Sequence, residues 1–298
     1  MAMAMMEDDE IKQWWQAVNN GSVEVVGRLL SANPNLINVT DLDVTAANTP
    51  LHRAALKGHV QMVAQLLAAK PALIDAVNSD GYTALHFAAQ WGHDQVVTQL
   101  LEKSSKLLHA STQIGITALH LAAMYGRGGV VDQLLTADHS TIHAIDNYGW
   151  TVLYYAILYE PIAEMLLERK PEMIYALTDT HIGNTILHKA IQAHCRDEFV
   201  AKLWRLNPEA LRALNRVKET PFHYVVAYGN DSLFGLFQWS LSLDEIVSAC
   251  EACNKSYERL RPEMKVQCET LSTVLNQDVM GTVFEYLGLP LKRPAKKP

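Results

Sequence analysis

The sequence predicts an all-α solenoid, a fold in which one short helical unit is stacked many times. Three observations favour it: a phrase that recurs six times, apolar residues at helical spacing after each copy, and a composition typical of folded chains. Of the 298 residues, 49% are hydrophobic and 19% are charged, which is enough apolar material for a sizeable core. We therefore expect a repeat array with a continuous core.

The recurring phrase begins with threonine and, in five of its six copies, has histidine three residues later. Successive threonines lie 34, 34, 34, 34 and 35 residues apart, a regularity that chance does not produce. Threonine is a good helix N-cap, and a proline directly after it suits the first helical turn because it has no N–H to satisfy. The copies begin at Thr49, Thr83, Thr117, Thr151, Thr185 and Thr220.

A second set of features follows the phrase in the same order. Paired alanines at positions 88–89 let another helix approach closely, and Gly92 supplies the left-handed residue that ends a helix. Apolar pairs at 96–97 and 100–101 place a stripe on a second, antiparallel helix. One such pair of helices cannot bury its own apolar face, so neighbouring units must stack.

Prolines after the second helix predict one more turn in each unit. Proline stops a helix and suits the start of a new turn, and the apolar residues that follow can then tuck under the core. These prolines are Pro34, Pro71, Pro171 and Pro208.

The unit resembles the ankyrin repeat, whose signature is a β-turn, two helices and the phrase T-P-L-H-x-A. The resemblance implies a superhelix with β-turn or hairpin fingers and a concave surface that usually binds another protein. We predict about seven units over residues 11–243, the first of them a degenerate cap. We expect a disordered N-terminus over residues 1–10, a C-terminal helical cap over 244–288 and a basic, disordered tail over 289–298.

The repeat pattern fails in the middle of the chain. Tyr154 stands where the phrase has histidine, and Glu160-Pro161 replaces the usual Gly-His turn. The sequence therefore predicts an irregular stretch over residues 150–200. Two interpretations stay open: drift within a repeat, or a local change of curvature that shapes a binding site.

The resemblance also implies which side chains face the concave surface, namely those just before the threonine and just before the closing glycine. In three consecutive units these positions are aromatic or aliphatic, whereas the family usually has polar or mixed residues there. We expect Ile116 and Leu158 to be hidden against the neighbouring repeat, and the alternative is that the whole set is hidden. The predicted binding residues, here called the aromatic strip, are Asp80, Tyr82, Trp91, Ile114, Met124, Tyr125, Tyr148, Trp150 and Tyr159.

The strip predicts a non-catalytic scaffold or adaptor that binds a helix or an extended peptide of another protein. Tyrosine and tryptophan are enriched at binding hot spots. Asp80 and Asp146 on the finger tips would add a polar rim and favour a basic partner. An adaptor of this kind needs no cofactor.

An enzyme is the alternative hypothesis. Polar aromatic residues and histidines gather where the repeat fails, at Tyr154, Tyr155, His181 and His194. A pocket in which two or more titratable groups converge would favour this hypothesis, and an open groove would oppose it.

Other motifs do not point to a cofactor or a metal. The stretch 126–129 (GRGG) lacks the preceding strand of a phosphate loop. Cys250, Cys253 and Cys268 fall one ligand short of a structural zinc site, since no histidine follows His223. The histidines of the phrase are expected to form hydrogen bonds within and between repeats.

Charge and targeting signals limit the expected partners and the expected cellular location of the protein. A formal charge of −7 argues against a nucleic-acid partner. The sequence shows no apolar run of membrane-spanning length, and its opening residues lack the pattern of a signal peptide. We therefore expect a monomeric protein of the reducing cytoplasm. A bacterial effector acting in a host cytosol fits the resemblance as well, and the basic tail matches a nuclear import signal only weakly.

Overall fold

The computed structural model describes residues 2–41, 46–176, 182–242, 245–246 and 248–249. The chain forms two compact units, residues 1–173 and 174–298. Within the described residues there are fourteen α-helices. In the first unit they are α1 (Ala2–Asn19), α2 (Val23–Ala32), α3 (Pro50–Lys57), α4 (Val60–Ala69), α5 (Ala84–Trp91), α6 (Asp94–Lys103), α7 (Ala118–Met124), α8 (Gly128–Ala137), α9 (Val152–Ala156) and α10 (Glu160–Arg169).

The second unit has four helices: α11 (Ile186–Gln192), α12 (Asp197–Leu206), α13 (Pro221–Ala227) and α14 (Asp231–Phe237). Helix α11 packs on α13, and α12 packs on α14. Aromatic side chains fill the space between the last two helices, where Phe222 and Phe234 are both 1% exposed. Two repeats therefore stack in this unit as they do in the first.

Each first helix begins at the threonine of the phrase. The backbone N–H of Thr83 donates to His86 Nδ1 at 3.0 Å, and the Thr83 hydroxyl lies 2.8 Å from the same nitrogen. The equivalent Thr–His capping box is formed in α3, α7, α11 and α13. One residue pair thus satisfies N–H groups that a helix N-terminus leaves without an intrahelical partner.

The stacking direction of the first unit follows from which helices touch. The first helices form one layer, in which α3, α5, α7 and α9 pack in succession. The second helices α2, α4, α6, α8 and α10 form the other layer. Alanines at positions 88–89 and 122–123 are fully buried where the two layers meet. The predicted all-α repeat solenoid is confirmed.

The additional turn after each second helix is a short 3-10 helix. Its apolar side chains are buried as the proline pattern predicts, with Leu36 2% and Leu73 5% exposed. The same turn forms without proline at Ser105–His109, where Leu107 is 3% exposed. The turns cover Pro34–Asn38, Pro71–Asp75, Ser105–His109, His139–His143, Pro171–Tyr175 and Pro208–Arg212.

The predicted N-terminal and C-terminal segments differ in how much of them the structure describes. Helix α1 covers Ala2–Asn19, and the disorder expected over residues 1–10 stays a prediction. Alanine and methionine, which fill the first six positions, are good helix formers. The predicted helical cap over 244–288 and tail over 289–298 lie outside the described residues, apart from residues 245–246 and 248–249.

Candidate protein-binding surface

The fingers of the first unit are turns held by one buried polar side chain each. Asn78 Oδ1 accepts the backbone N–H of Asp80 at 3.0 Å and of Tyr82 at 2.9 Å. Asp146 Oδ1 likewise accepts the backbone N–H of Tyr148 and of Trp150, both at 2.9 Å. These bonds fix the backbone from which the strip residues project.

Neighbouring fingers are joined by backbone hydrogen bonds. The N–H of Gln113 donates to the carbonyl of Asp80, and the N–H of Asn147 donates to the carbonyl of Ile114, each at 3.0 Å. The middle finger needs a glycine at its tip, because Gly115 has φ of +81°. The three fingers that carry the strip therefore form one connected edge.

Exposure divides the aromatic strip into two groups. Asp80, at a finger tip, is exposed, whereas Tyr82, Met124 and Trp150 are half-buried. The remaining residues are exposed by two fifths to one half of their surface: Trp91 50%, Ile114 47%, Tyr148 43%, Tyr125 41% and Tyr159 40%. Six of the nine predicted residues are thus open to solvent, and the expectation that Ile116 is hidden agrees with its 2% exposure.

Three aromatic rings surround Trp150. The ring of Tyr154 stacks on Trp150 with centroids 4.4 Å apart, and Tyr148 lies 5.3 Å from Trp150 on a tilted plane. Tyr155 completes the group at 5.8 Å from Trp150 and donates its hydroxyl to Asp146 Oδ2 at 2.6 Å. Burial, followed by this bond to Asp146, raises the pKa of Tyr155. The group is therefore a packed aromatic platform over a buried carboxylate.

A second aromatic group surrounds Tyr82. Its ring lies 5.3 Å from that of Phe87, and Phe87 contacts His52 edge-on at 5.8 Å. Burial, then the neighbouring Tyr125 and Asp80, raise the pKa of Tyr82. Asp80 and Tyr125 thus each lie close enough to Tyr82 to affect its pKa, although the three residues come from two repeats.

Phe87 and Tyr155 belong to this surface, and our reasoning from the sequence omitted them from the strip. Both occupy the variable position that follows histidine in the phrase, four residues after Thr83 and Thr151. In the structure, the rings at this position contact the aromatic residue just before each threonine: Phe87 contacts Tyr82, and Tyr155 contacts Trp150. Aromatic residues at this position were the signal that could have identified them.

Tyr159 has a structural role that the sequence did not predict. It is the N-cap residue of α10, the place that His59, His93 and Arg127 take in α4, α6 and α8. Its ring lies over Gly126, where an added Cβ would come within 2.9 Å of Cζ. Counting from Thr151 misplaced Tyr159, since α9 and its turn are two residues shorter than in the other repeats.

The prediction for Leu158 is wrong, because this side chain is exposed and not buried. We expected it to be hidden by lateral packing, yet it is 65% exposed. The reason is that α9 ends at Ala156, so Leu158 lies in the turn that follows and Ile157 is buried in its place at 1% exposure. Leu158 therefore extends the apolar surface beyond the predicted strip.

The histidines of the phrase are neutral structural groups. His86 Nδ1 accepts from Thr83, and its Nε2 lies 3.1 Å from the carbonyl oxygen of Ile116 in the next repeat. Burial lowers the pKa of His86 and of His120 to about 4. A neutral ring that accepts at one nitrogen and donates at the other fits this position between repeats.

The residues of the enzyme hypothesis are divided between the two units. Tyr154 and Tyr155 lie in the first unit and His194 in the second, while His181 lies outside the described residues. His194 takes the left-handed conformation of the glycine it replaces, with φ of +53°. Within the described part of the chain, no group of three or more His, Cys, Asp or Glu side chains could hold a metal ion.

The stacked helical pairs with capped Thr–His phrases and connected fingers define an all-α repeat protein. The family model described as "Ankyrin repeats (3 copies)" matches residues 14–109 and 105–176, which together span more than half of the chain. The chain belongs to the ankyrin repeat family, whose members generally mediate protein–protein interactions and are typically non-catalytic.

No curated protein matches the sequence. Among the helices that the structure describes, none combines the length and the apolarity that crossing a lipid bilayer requires.

Proposed function

We propose that the protein is a non-catalytic adaptor that binds a partner protein through the aromatic strip. The observation that carries this proposal is the exposure of Trp91, Tyr125 and Tyr148 on neighbouring fingers and first helices of one unit. Such a cluster of large aromatic side chains on a rigid scaffold is typical of binding hot spots.

The backbone that carries several strip residues is held by hydrogen bonds in the fingers and by packing of the first helices. Tyr148 and Trp150 project from a turn that Asp146 holds, and Tyr125 follows α7, which packs between α5 and α9. A surface that is already ordered loses little conformational entropy on binding. This arrangement favours recognition of another macromolecule over catalysis.

The test uses crosslinking at a strip position. A photoreactive amino acid at position 125 should crosslink a partner in cells, and the same amino acid at Tyr175 is the matched control. Tyr175 is 66% exposed and lies on a 3-10 turn instead of a finger or a first helix. Equal crosslinking from both positions would contradict the assigned surface.

The identified partner is then measured with purified proteins. The double variant Trp91→Ala, Tyr125→Ala should lose about 100-fold in affinity, since each aromatic hot-spot residue contributes about 1–2 kcal/mol. Tyr175→Ala should change affinity by less than about twofold. Trp150 is left intact, because its stack on Tyr154 supports the fold. Unchanged affinity of a folded double variant would refute the proposal.

A further inference from the structure

The three chain segments that carry the aromatic strip contain no lysine and no arginine. These segments, residues 78–91, 112–125 and 146–159, include each finger and the first helix after it, and their acidic residues are Asp80 and Asp146. The corresponding part of the preceding repeat, in contrast, has Arg53 and Lys57. The absence of lysine and arginine is therefore a property of the segments that carry the strip, whereas Arg53, Lys57 and Arg127 lie outside them.

The histidines in these segments add no positive charge at neutral pH. His86 and His120 are each 0% exposed and hold a neutral ring between repeats. The strip segments thus combine aromatic faces and aliphatic side chains with one exposed carboxylate, Asp80, since Asp146 is only 4% exposed. The cation beside Trp91 is Arg127, which is half-buried and donates its Nε to the carbonyl of Gln90.

Aromatic faces and carboxylates attract the same class of ligand group. The π-system of a tryptophan or tyrosine ring is negative on its face and binds a cation placed over it. Trp91 and Tyr125 are half and two fifths exposed at the ends of neighbouring first helices. The exposed carboxylate of Asp80 lies near Tyr82, which is also near Tyr125.

We propose that the aromatic strip binds a partner segment in which arginine side chains alternate with apolar ones. This inference rests on the proposed function and names the class of partner. Arginine fits better than lysine, because the planar guanidinium stacks on an aromatic ring while it donates to a carboxylate. The apolar side chains of the segment would cover Ile114 and Leu158, which are 47% and 65% exposed.

The charge of the chain argues against a second copy as the occupant. With a net charge of −7, two copies repel each other, whereas a basic segment is attracted over a distance of about a Debye length. We therefore assign the surface to a segment of another protein.

The experiment uses the full chain and two synthetic peptides of twelve residues that alternate leucine with either arginine or citrulline. Citrulline keeps the planar end group and removes its charge. Calorimetric titration should give a dissociation constant about tenfold lower for the arginine peptide, as expected for two or more cation–π contacts at partly exposed rings. Equal affinities would overturn the assignment to arginine.

Variants separate the strip from general attraction to an acidic protein. Asp80→Asn should weaken the arginine peptide about threefold and leave the citrulline peptide unchanged. The matched control is Glu102→Gln, an exposed carboxylate in α6, which should change neither affinity. Equal losses for both variants would show non-specific attraction and overturn the proposal.

Trp91→Leu tests the aromatic contribution, since leucine keeps an apolar side chain without a π face. The arginine peptide should bind about threefold more weakly and the citrulline peptide about as before. Equal weakening of both peptides would show that the strip binds apolar segments, which supports the proposed function but overturns this inference. Failure of both peptides to bind would also overturn it.

The basic tail of this chain is the competing occupant. Lys292, Arg293, Lys296 and Lys297 lie outside the described residues. Changing all four to glutamine should leave the affinity for the arginine peptide within about twofold, if the tail does not compete for the strip. An increase of more than about fivefold would assign the strip to the tail and overturn the assignment to a partner protein.

Discussion

The repeats that begin at Thr117 and Thr151 are neighbours in the first unit, yet they are built differently. Helix α7 has seven residues and a complete Thr–His capping box, whereas α9 has five and Thr151 makes no side-chain cap hydrogen bond. The residue that would complete the box is Tyr154, whose ring stacks on Trp150 instead. One side-chain change has therefore converted a helix cap into part of an aromatic platform.

The comparison shows how a repeat can gain a surface without losing its stacking. Val152, Leu153 and Ala156 are fully buried, so the irregular repeat keeps the core contacts of its neighbours. The shorter helix leaves Leu158 exposed and moves Tyr159 to the N-cap of α10. Core positions are constrained by packing, whereas capping positions can be exchanged at a cost of about 1 kcal/mol.

The largest effect should come from the buried histidines that distinguish the regular repeats. Burial lowers the pKa of His52, His86, His120 and His188 from 6.5 to about 4. The unfolded state binds protons below pH 6.5 and the folded state only below about 4, so stability is lost as the pH falls through this window. Urea unfolding should show about 2 kcal/mol less stability per histidine at pH 5 than at pH 7.

A matched variant assigns part of this pH dependence to one site. His86→Gln keeps an acceptor and a donor in the box but cannot be protonated, so it should reduce the loss between pH 7 and pH 5 by about 2 kcal/mol. A variant with the same pH dependence as the natural chain would contradict the assignment to the buried ring.

The next largest loss of stability should come from the glycines that the N-cap side chains of the second helices pack against. Gly92 and Gly126 have φ of +76° and +72°, so alanine is strained at both by about 1 kcal/mol. Gly126→Ala should cost about 3 kcal/mol, since the new Cβ collides with the rigid ring of Tyr159. Gly92→Ala should cost about 1.5 kcal/mol, because it meets the flexible Arg127 side chain at 2.9 Å.

The measurement for this pair is chemical unfolding at pH 7. The double variant Gly126→Ala, Tyr159→Ala should regain at least about 1 kcal/mol of the free energy of unfolding that Gly126→Ala loses, since the ring is then absent. If the two glycine variants lost the same free energy of unfolding and the double variant regained none, the Tyr159 ring would not pack against Gly126.

The smallest effect should come from the two threonine caps. The Thr117 hydroxyl lies 2.9 Å from His120 Nδ1 and accepts from the His120 N–H, whereas Thr151 lacks a side-chain cap bond. Thr117→Val should therefore cost about 1 kcal/mol and Thr151→Val less than about 0.5 kcal/mol. Thermal unfolding of both variants measures the difference, and a larger cost at Thr151 would contradict the comparison.

Part of the surface could be predicted because its positions are tied to the phrase. Residues just before each threonine, such as Tyr82 and Trp150, follow from the repeat period alone, and their fingers form as expected. Tyr159 and Leu158 were placed wrongly, since a two-residue shortening changes which residues begin the next helix. Contacts between repeats, such as those of Phe87, depend on the stacking of neighbouring helices, which spacing along the chain does not describe.

The sequence by itself determined the repeat unit, its helices and its stacking, because a 34-residue period, Thr–His caps and apolar stripes each have one low-energy arrangement. Only the tertiary structure decided which side chains remain open. Exposure depends on what the neighbouring repeat covers, as the contrast between buried Ile116 and exposed Ile114 shows. Packing between repeats, rather than local propensity, selects the residues available to a partner.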